Sequence, residues 1–178
     1  MNSQTGQTQN RFLQLETQWL TLIGEHLQDT EGHQLEYWRV EKADSIIIIP
    51  IQNQQLILPP PTYRPGVHQV TLDFPGGRWT KEQSLEQTAM AILQRELGIA
   101  PTETLNLTLL NSEGWAINSS FSNQKIYGFV AEIEDTLLIP LEHIGETYPI
   151  SKSGIQSLLS RLNCLQCRGV LLEWWTTI

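Results

Sequence analysis

One stretch constrains this chain more than any other: LDFPGGRWTKEQSLEQTAMAILQRELGIA, from Leu72 to Ala100. Pro75-Gly76-Gly77 punctuates it, because adjacent glycines adopt backbone angles that cost other residues energy and let another group approach the chain closely. A turn is expected there, between a strand over Val67–Phe74 and a helix. Ser84 suits the helix N-cap. Leu85, Ala89, Ile92, Leu93 and Leu97 then recur at helical spacing until Gly98, a good C-terminal stop.

Composition narrows what surrounds this unit. The 178 residues are 40% hydrophobic and 17% charged, enough to bury a proper core. Residues 1–10 are expected to form a disordered tail, and residues 11–178 a single domain. A net charge of −8, with only eleven scattered Lys and Arg, excludes a nucleic-acid backbone as partner but leaves room for a small ligand. No apolar run approaches the roughly 18 residues that span a bilayer. With no signal-peptide pattern either, the expectation is a soluble, cytoplasmic protein with no membrane partner. Cys164 and Cys167 form a lone CxxC, which is half a zinc site, a redox pair or a coincidence. Without a second Cys pair or a nearby His pair it reads as two ordinary reduced thiols.

Along the chain, Arg11 to Leu27 carries Phe12, Leu15, Trp19, Leu22 and Ile23 at helical spacing, so a short helix leading into a strand is expected. His33 to Glu41 reads as the second arm of a hairpin, with Leu35, Tyr37 and Arg39 on one face. Ser45–Ile51, with four isoleucines in a row and a fifth after Pro50, is what a strand buried on both faces requires. Gln55–Leu58 begins another strand, which Pro59 to Pro61 must end. Strands are expected over Thr104–Glu113 and Lys125–Glu132, joined by a polar loop from Gly114 to Gln124. A second helix falls within Tyr148–Asn163, with Ile155, Leu158, Leu159 and Leu162 as its stripe. Gly169–Ile178 is apolar, and its Trp174 and Trp175 suit packing or a dimer contact. The pattern is α+β, a mixed sheet between two principal helices.

FPGG followed by a helix ending in RELGI resembles the Nudix box, G-x5-E-x7-R-E-U-x-E-E-x-G-U, where U is a bulky aliphatic. The frame fits without a gap, with Gly77 as the box glycine, Leu93 as the internal aliphatic, and Gly98-Ile99 at the end. EYWRVEKADSIIIIPI, the YRP at Tyr63 to Pro65, LDFPGG and SFSNQKIYGFVAEI are similar to the ADP-ribose pyrophosphatase branch, over roughly residues 19–163. The resemblance implies the Nudix fold, an α/β/α sandwich around a mixed β-sheet with an amino-terminal β-hairpin extension, and a homodimer. In that family, glutamates three and four residues apart on one helical face hold Mg²⁺ or Mn²⁺ against a diphosphate and activate a water.

Most of those carboxylates are replaced here. The first box Glu is Gln83, its Arg is Ala91, the next Glu is Ile92 and the first of the paired Glu is Arg95. Only Glu96 survives, as the catalytic residue and, with Asp73 before FPGG, as a metal ligand. The resemblance further implies that Arg64 and Gly77 meet the substrate and that Trp38 stacks on adenine. Arg95 gains a phosphate-binding role in place of metal. Gln124 stands where relatives place a Glu, and Gly114–Gln124 could close over a ligand. The expected function is binding of a nucleoside diphosphate such as ADP-ribose, with hydrolysis weak or absent. The expected cofactor is Mg²⁺ or Mn²⁺ if the protein is active, and none otherwise. The alternatives are an active Mg²⁺-dependent pyrophosphatase drawing ligands from Glu82, Glu113 or Glu134, and a non-catalytic scaffold or regulatory protein.

Overall fold

The computed structural model describes residues 7–100 and 105–178. The chain divides into two compact units. The first holds the chain up to Ala43 together with Ala116–Lys125, and the second holds 44–115 with Ile126–Ile178.

The first unit contains a three-stranded antiparallel sheet ordered β1 (Gln7–Glu16), β2 (Thr21–Gln28), β3 (Gln34–Glu41). The helix expected after Arg11 is absent. Thr17 explains why: its Oγ1 accepts from the amides of Trp19 and Leu20, and its own amide donates to the Leu20 carbonyl, which turns the chain back at once. Residues 1–6 of the expected tail lie outside the described residues, whereas Gln7–Asn10 are paired strand, with Gln7 opposite Gln28. Gly24 lies between aromatic rings. A Cβ there would come within 2.6 Å of Phe12 and 3.2 Å of Trp38, whose rings meet edge to face at 5.3 Å. Glu25 is buried and paired, its Oε1 accepting from Arg39 Nε at 2.8 Å and its Oε2 lying 3.8 Å from Arg11.

The Gly114–Gln124 loop contributes most of its length to this unit. Val40 N donates to Phe121 O at 2.8 Å, Lys42 N to Asn123 Oδ1 at 2.9 Å, and Gln124 Nε2 to Ala43 O at 2.8 Å. Tyr37 Oη donates to Ser120 O. Gln124 is buried, and its side-chain amide makes a backbone bond there.

In the second unit, β4 (Asp44–Gln52) pairs in parallel with β11 (Lys125–Ile133). It pairs antiparallel with β5 (Gln55–Leu58) and β8 (Gly76–Trp79). β6 (Thr62–Arg64) and β7 (Gln69–Thr71) form a separate ribbon, β9 (Leu105–Leu109) pairs with β11, and β10 is Trp115–Ala116. β12 (Glu146–Pro149) closes the far edge on β5. The helices are α1 (Leu85–Leu97), α2 (Lys152–Arg161) and α3 (Leu165–Trp175).

β4 is buried on both faces, as its isoleucines demand. Ile46 and Ile48 join Ala89, Ile92, Leu93 and Leu97 of α1 in one cluster with Tyr127, Phe129 and Ala131 of β11. The side chains between them face the other way by the two-residue period of a strand. There Gly128 leaves room for Val170 of α3, whose Cγ1 would lie 3.1 Å from a Cβ. A helix on each side of a mixed sheet is the α/β/α plan. The apolar end expected to pack with Trp174 is thus a third helix, and Trp174 is buried. No described helix is long and apolar enough to cross a membrane.

The α1 boundaries match the sequence reading. Ser84 Oγ accepts from Gln87 N, the Gln87 side chain accepts from Ser84 N, and Gly98 closes the helix at φ 71°. The glycines before it do not match. Gly76-Gly77 was expected to turn, yet both lie in β8, opposite Ile47 and Ile46, and neither has a positive φ. They suit close approach: a Cβ on Gly76 would sit 3.0 Å from Ile46 O, and one on Gly77 3.1 Å from Ile92 Cδ1. The expected Val67–Phe74 strand is likewise cut to Gln69–Thr71, because the chain turns at Pro65–His68, with His68 at φ 53°.

Gly76→Ala is expected to destabilise the protein by about 1–3 kcal/mol, the usual cost of forcing atoms into a filled space. Gly66→Ala, where a Cβ would meet nothing within 4 Å, serves as control. Urea unfolding of both variants measures this; equal midpoints would show that the close approach is not limiting.

Candidate functional site

The ribbon β6–β7, the segment leading into β8, the end of α1 and the start of α3 enclose a cavity of about 680 Å³ in the second unit. Arg64, Asp73, Gly77 and Glu96, all singled out from the sequence, line it. Its volume lies within the roughly 300–1,000 Å³ typical of small-molecule sites.

Asp73 is the most heavily engaged of these residues. Its Oδ2 accepts from Arg64 Nε and from Thr71 Oγ1, both at 2.8 Å, while Oδ1 lies 3.9 Å from Cys167 Sγ. Short ribbon geometry brings this about, since Arg64 closes β6 opposite Gln69 and Asp73 follows two residues after β7 ends. Glu96 is paired within its own helix. Arg95 donates Nε and Nη2 to Glu96 Oε1 at 3.0 and 2.8 Å, and Nη2 also donates to Gly76 O at 2.8 Å. Arg95 thereby ties α1 to β8, with its side chain still 58% exposed.

The remaining expectations scatter. Trp38 is on β3 in the first unit, its Nε1 donating to Glu36 at 2.7 Å, and it is not among the residues lining the cavity. Neither are Glu82, Glu113 and Glu134, the reserve ligands. Ile92 is a core residue, 2% exposed, packed under Gly77.

Sequence reasoning passed over Thr71 and read Cys164 and Cys167 as ordinary thiols, and all three line the cavity. Cys164 is the N-cap of α3, a placement that the apolar run after the CxxC could have signalled. Both thiols are free. The Cys164 thiol is held down to about 6, first by a hydrogen bond from the Cys167 thiol and further by the amides of Cys167 and Gln166, with burial and Asp73 acting against this. Cys167 goes the other way: the hydrogen bond to Cys164, burial and the negative neighbours push its thiol well up.

The chain is similar to a crystal structure of an ADP compounds hydrolase, with a TM-score of 0.79 and 20% sequence identity over 99% of this chain and 96% of that one. That likeness carries the fold. It is the Nudix fold. No protein-family model matches the sequence, and no curated protein matches it.

Glu96 is the one carboxylate that α1 brings to the cavity, a poor donor set for a hard divalent cation. Mg²⁺ needs carboxylate oxygens free to face it. Ile92 on the same helix is buried, and one oxygen of Glu96 accepts from the Arg95 guanidinium.

Iodoacetamide alkylation, followed by mass spectrometry across a pH series, is expected to modify Cys164 with a midpoint near pH 6, because the thiolate is the nucleophile. Cys167, whose thiol is pushed up and buried, stays unmodified at neutral pH. Equal reactivity of the two would contradict the geometry.

Proposed function

We propose that the cavity binds a nucleoside diphosphate of the ADP-ribose type and that metal-dependent hydrolysis on α1 is weak or lost. The observation that supports this reading is the Arg95–Glu96 pair, which sets a cation where the family frame has a metal-binding carboxylate. The ligand class is drawn from the similar structure, a hydrolase of ADP compounds. The cavity has the volume for such a ligand and a guanidinium on its wall. A diphosphate entering it exchanges with Asp73 for Arg64, one oxyanion for another, and the planar fork suits phosphate bidentately. Arg95 adds positive charge beside the end of α1.

Calorimetry with ADP-ribose, in EDTA and in Mg²⁺, tests the reading. The expected result is binding of equal affinity in both, weakened roughly 10-fold or more in Arg64→Ala, the loss of one charge-assisted hydrogen-bonding group. Binding that requires Mg²⁺, with turnover abolished in Glu96→Gln, would instead establish an active pyrophosphatase. No binding of any nucleoside diphosphate would leave the fold as a scaffold.

The homodimer belongs to the same proposal. The first unit exposes Phe12, Leu15, Trp19, Leu35 and Trp38, an apolar set that a second copy could cover. Sedimentation equilibrium should give twice the 20.3 kDa chain mass, and a monomer at micromolar concentration would refute it.

A further inference from the structure

Among the described residues, one cluster gathers three metal-ligating side chains: Asp73, Cys164 and Cys167, whose ligand atoms all lie within 4.8 Å of one another. Each lines the cavity. We infer that Cys164, Cys167 and Asp73 form a binding site for a thiophilic divalent cation of the Zn²⁺ class, with its fourth coordination position open to the cavity.

The donor set selects the metal. Two sulfurs and one carboxylate oxygen suit Zn²⁺ and not Mg²⁺, which takes oxygen alone. Three protein ligands with one vacant position are also the pattern of zinc sites that meet a small molecule, whereas structural sites are closed by four. The spacing is close to what is needed. Tetrahedral bonds of about 2.3 Å to sulfur and 2.0–2.2 Å to oxygen set neighbouring donors about 3.6–3.8 Å apart. Cys167 Sγ and Asp73 Oδ1 are 3.9 Å apart already.

The surroundings favour a metal over a plain dithiol. Thr71 and Arg64 both hold Asp73 by Oδ2, which leaves Oδ1 turned to the sulfurs. Hydrogen bonds to the far atom of a ligating group are how proteins orient metal ligands. A disulfide pair has no use for a carboxylate in that place. Charge also balances: two thiolates and Asp73 bring three negative charges, and a divalent cation with Arg64 brings three positive. Binding releases the thiol protons to solvent and changes no oxidation state.

The test titrates Co²⁺ into the fully reduced, chelator-treated full-length protein. One equivalent should produce sulfur-to-cobalt charge-transfer absorption and the intense visible bands of tetrahedral cobalt, and one equivalent of Zn²⁺ should erase both. Cys164→Ala, chosen because this cysteine is only half-buried, should about halve the charge-transfer intensity. Thr71→Val leaves both sulfurs in place, so it should keep the charge-transfer intensity while lowering affinity roughly 10- to 100-fold. Circular dichroism confirms that each variant is folded. Absent charge-transfer absorption, or absorption undiminished in Cys164→Ala, overturns the inference, as does a pair that cycles to a disulfide while taking up no Co²⁺. Because the probe is the metal alone, failure of nucleotide binding would leave this result standing.

Discussion

The backbone of β8 lies within side-chain reach of β4 on one side and α1 on the other, and the chemistry of the cavity follows from that closeness. Glycine at 76 and 77 accommodates it, since a Cβ at either position would push Ile46 O or the Ile92 side chain away by a few tenths of an ångström. Once α1 is this near, the helix face toward β8 has room for packing, and Ile92 fills it beneath Gly77. Arg95, one turn further on, is long enough to reach past the contact and donate to Gly76 O. That face of α1 is part of the core, with one cation at its rim.

Each carboxylate on the cavity wall has a resident guanidinium: Arg64 on Asp73 and Arg95 on Glu96. Both arginines are more than half exposed, so water screens the pairs and each is worth little in stability. Weak pairs are easily exchanged. The cavity is therefore close to neutral locally in a chain that is acidic overall, and an anionic ligand meets replaceable contacts in place of a wall of like charge.

The parts legible in the sequence were those governed by local rules. Ser84, Gln87 and Gly98 set the ends of α1 by hydrogen bonds within a few residues, and four isoleucines in a row can serve only a strand covered on both faces. What was misread depended on distant neighbours. Gly76 and Gly77 looked like a turn because flexibility and close approach leave the same letters in the sequence. Phe12 to Ile23 fits a helix as well as a hairpin until Thr17 is seen to cap the turn. Gly77 and Glu96, named from the resemblance through the box frame, and Arg64 and Asp73, named through the segments before it, all line one cavity. Cys164 and Cys167 were set aside because their third partner, Asp73, is 94 residues from Cys167 along the chain and next to it in space.

The first unit is assembled from two separated pieces of chain, and this has a consequence for synthesis. β3 offers its outer edge to residues 118–124, and 83 positions separate Tyr37 from Ser120. A chain leaving the ribosome thus exposes the backbone of β3 while β4, β5, β8 and α1 emerge behind it. Such an edge is a template for pairing with other chains. Until residue 125 has emerged, the segment most open to mispairing is one made early.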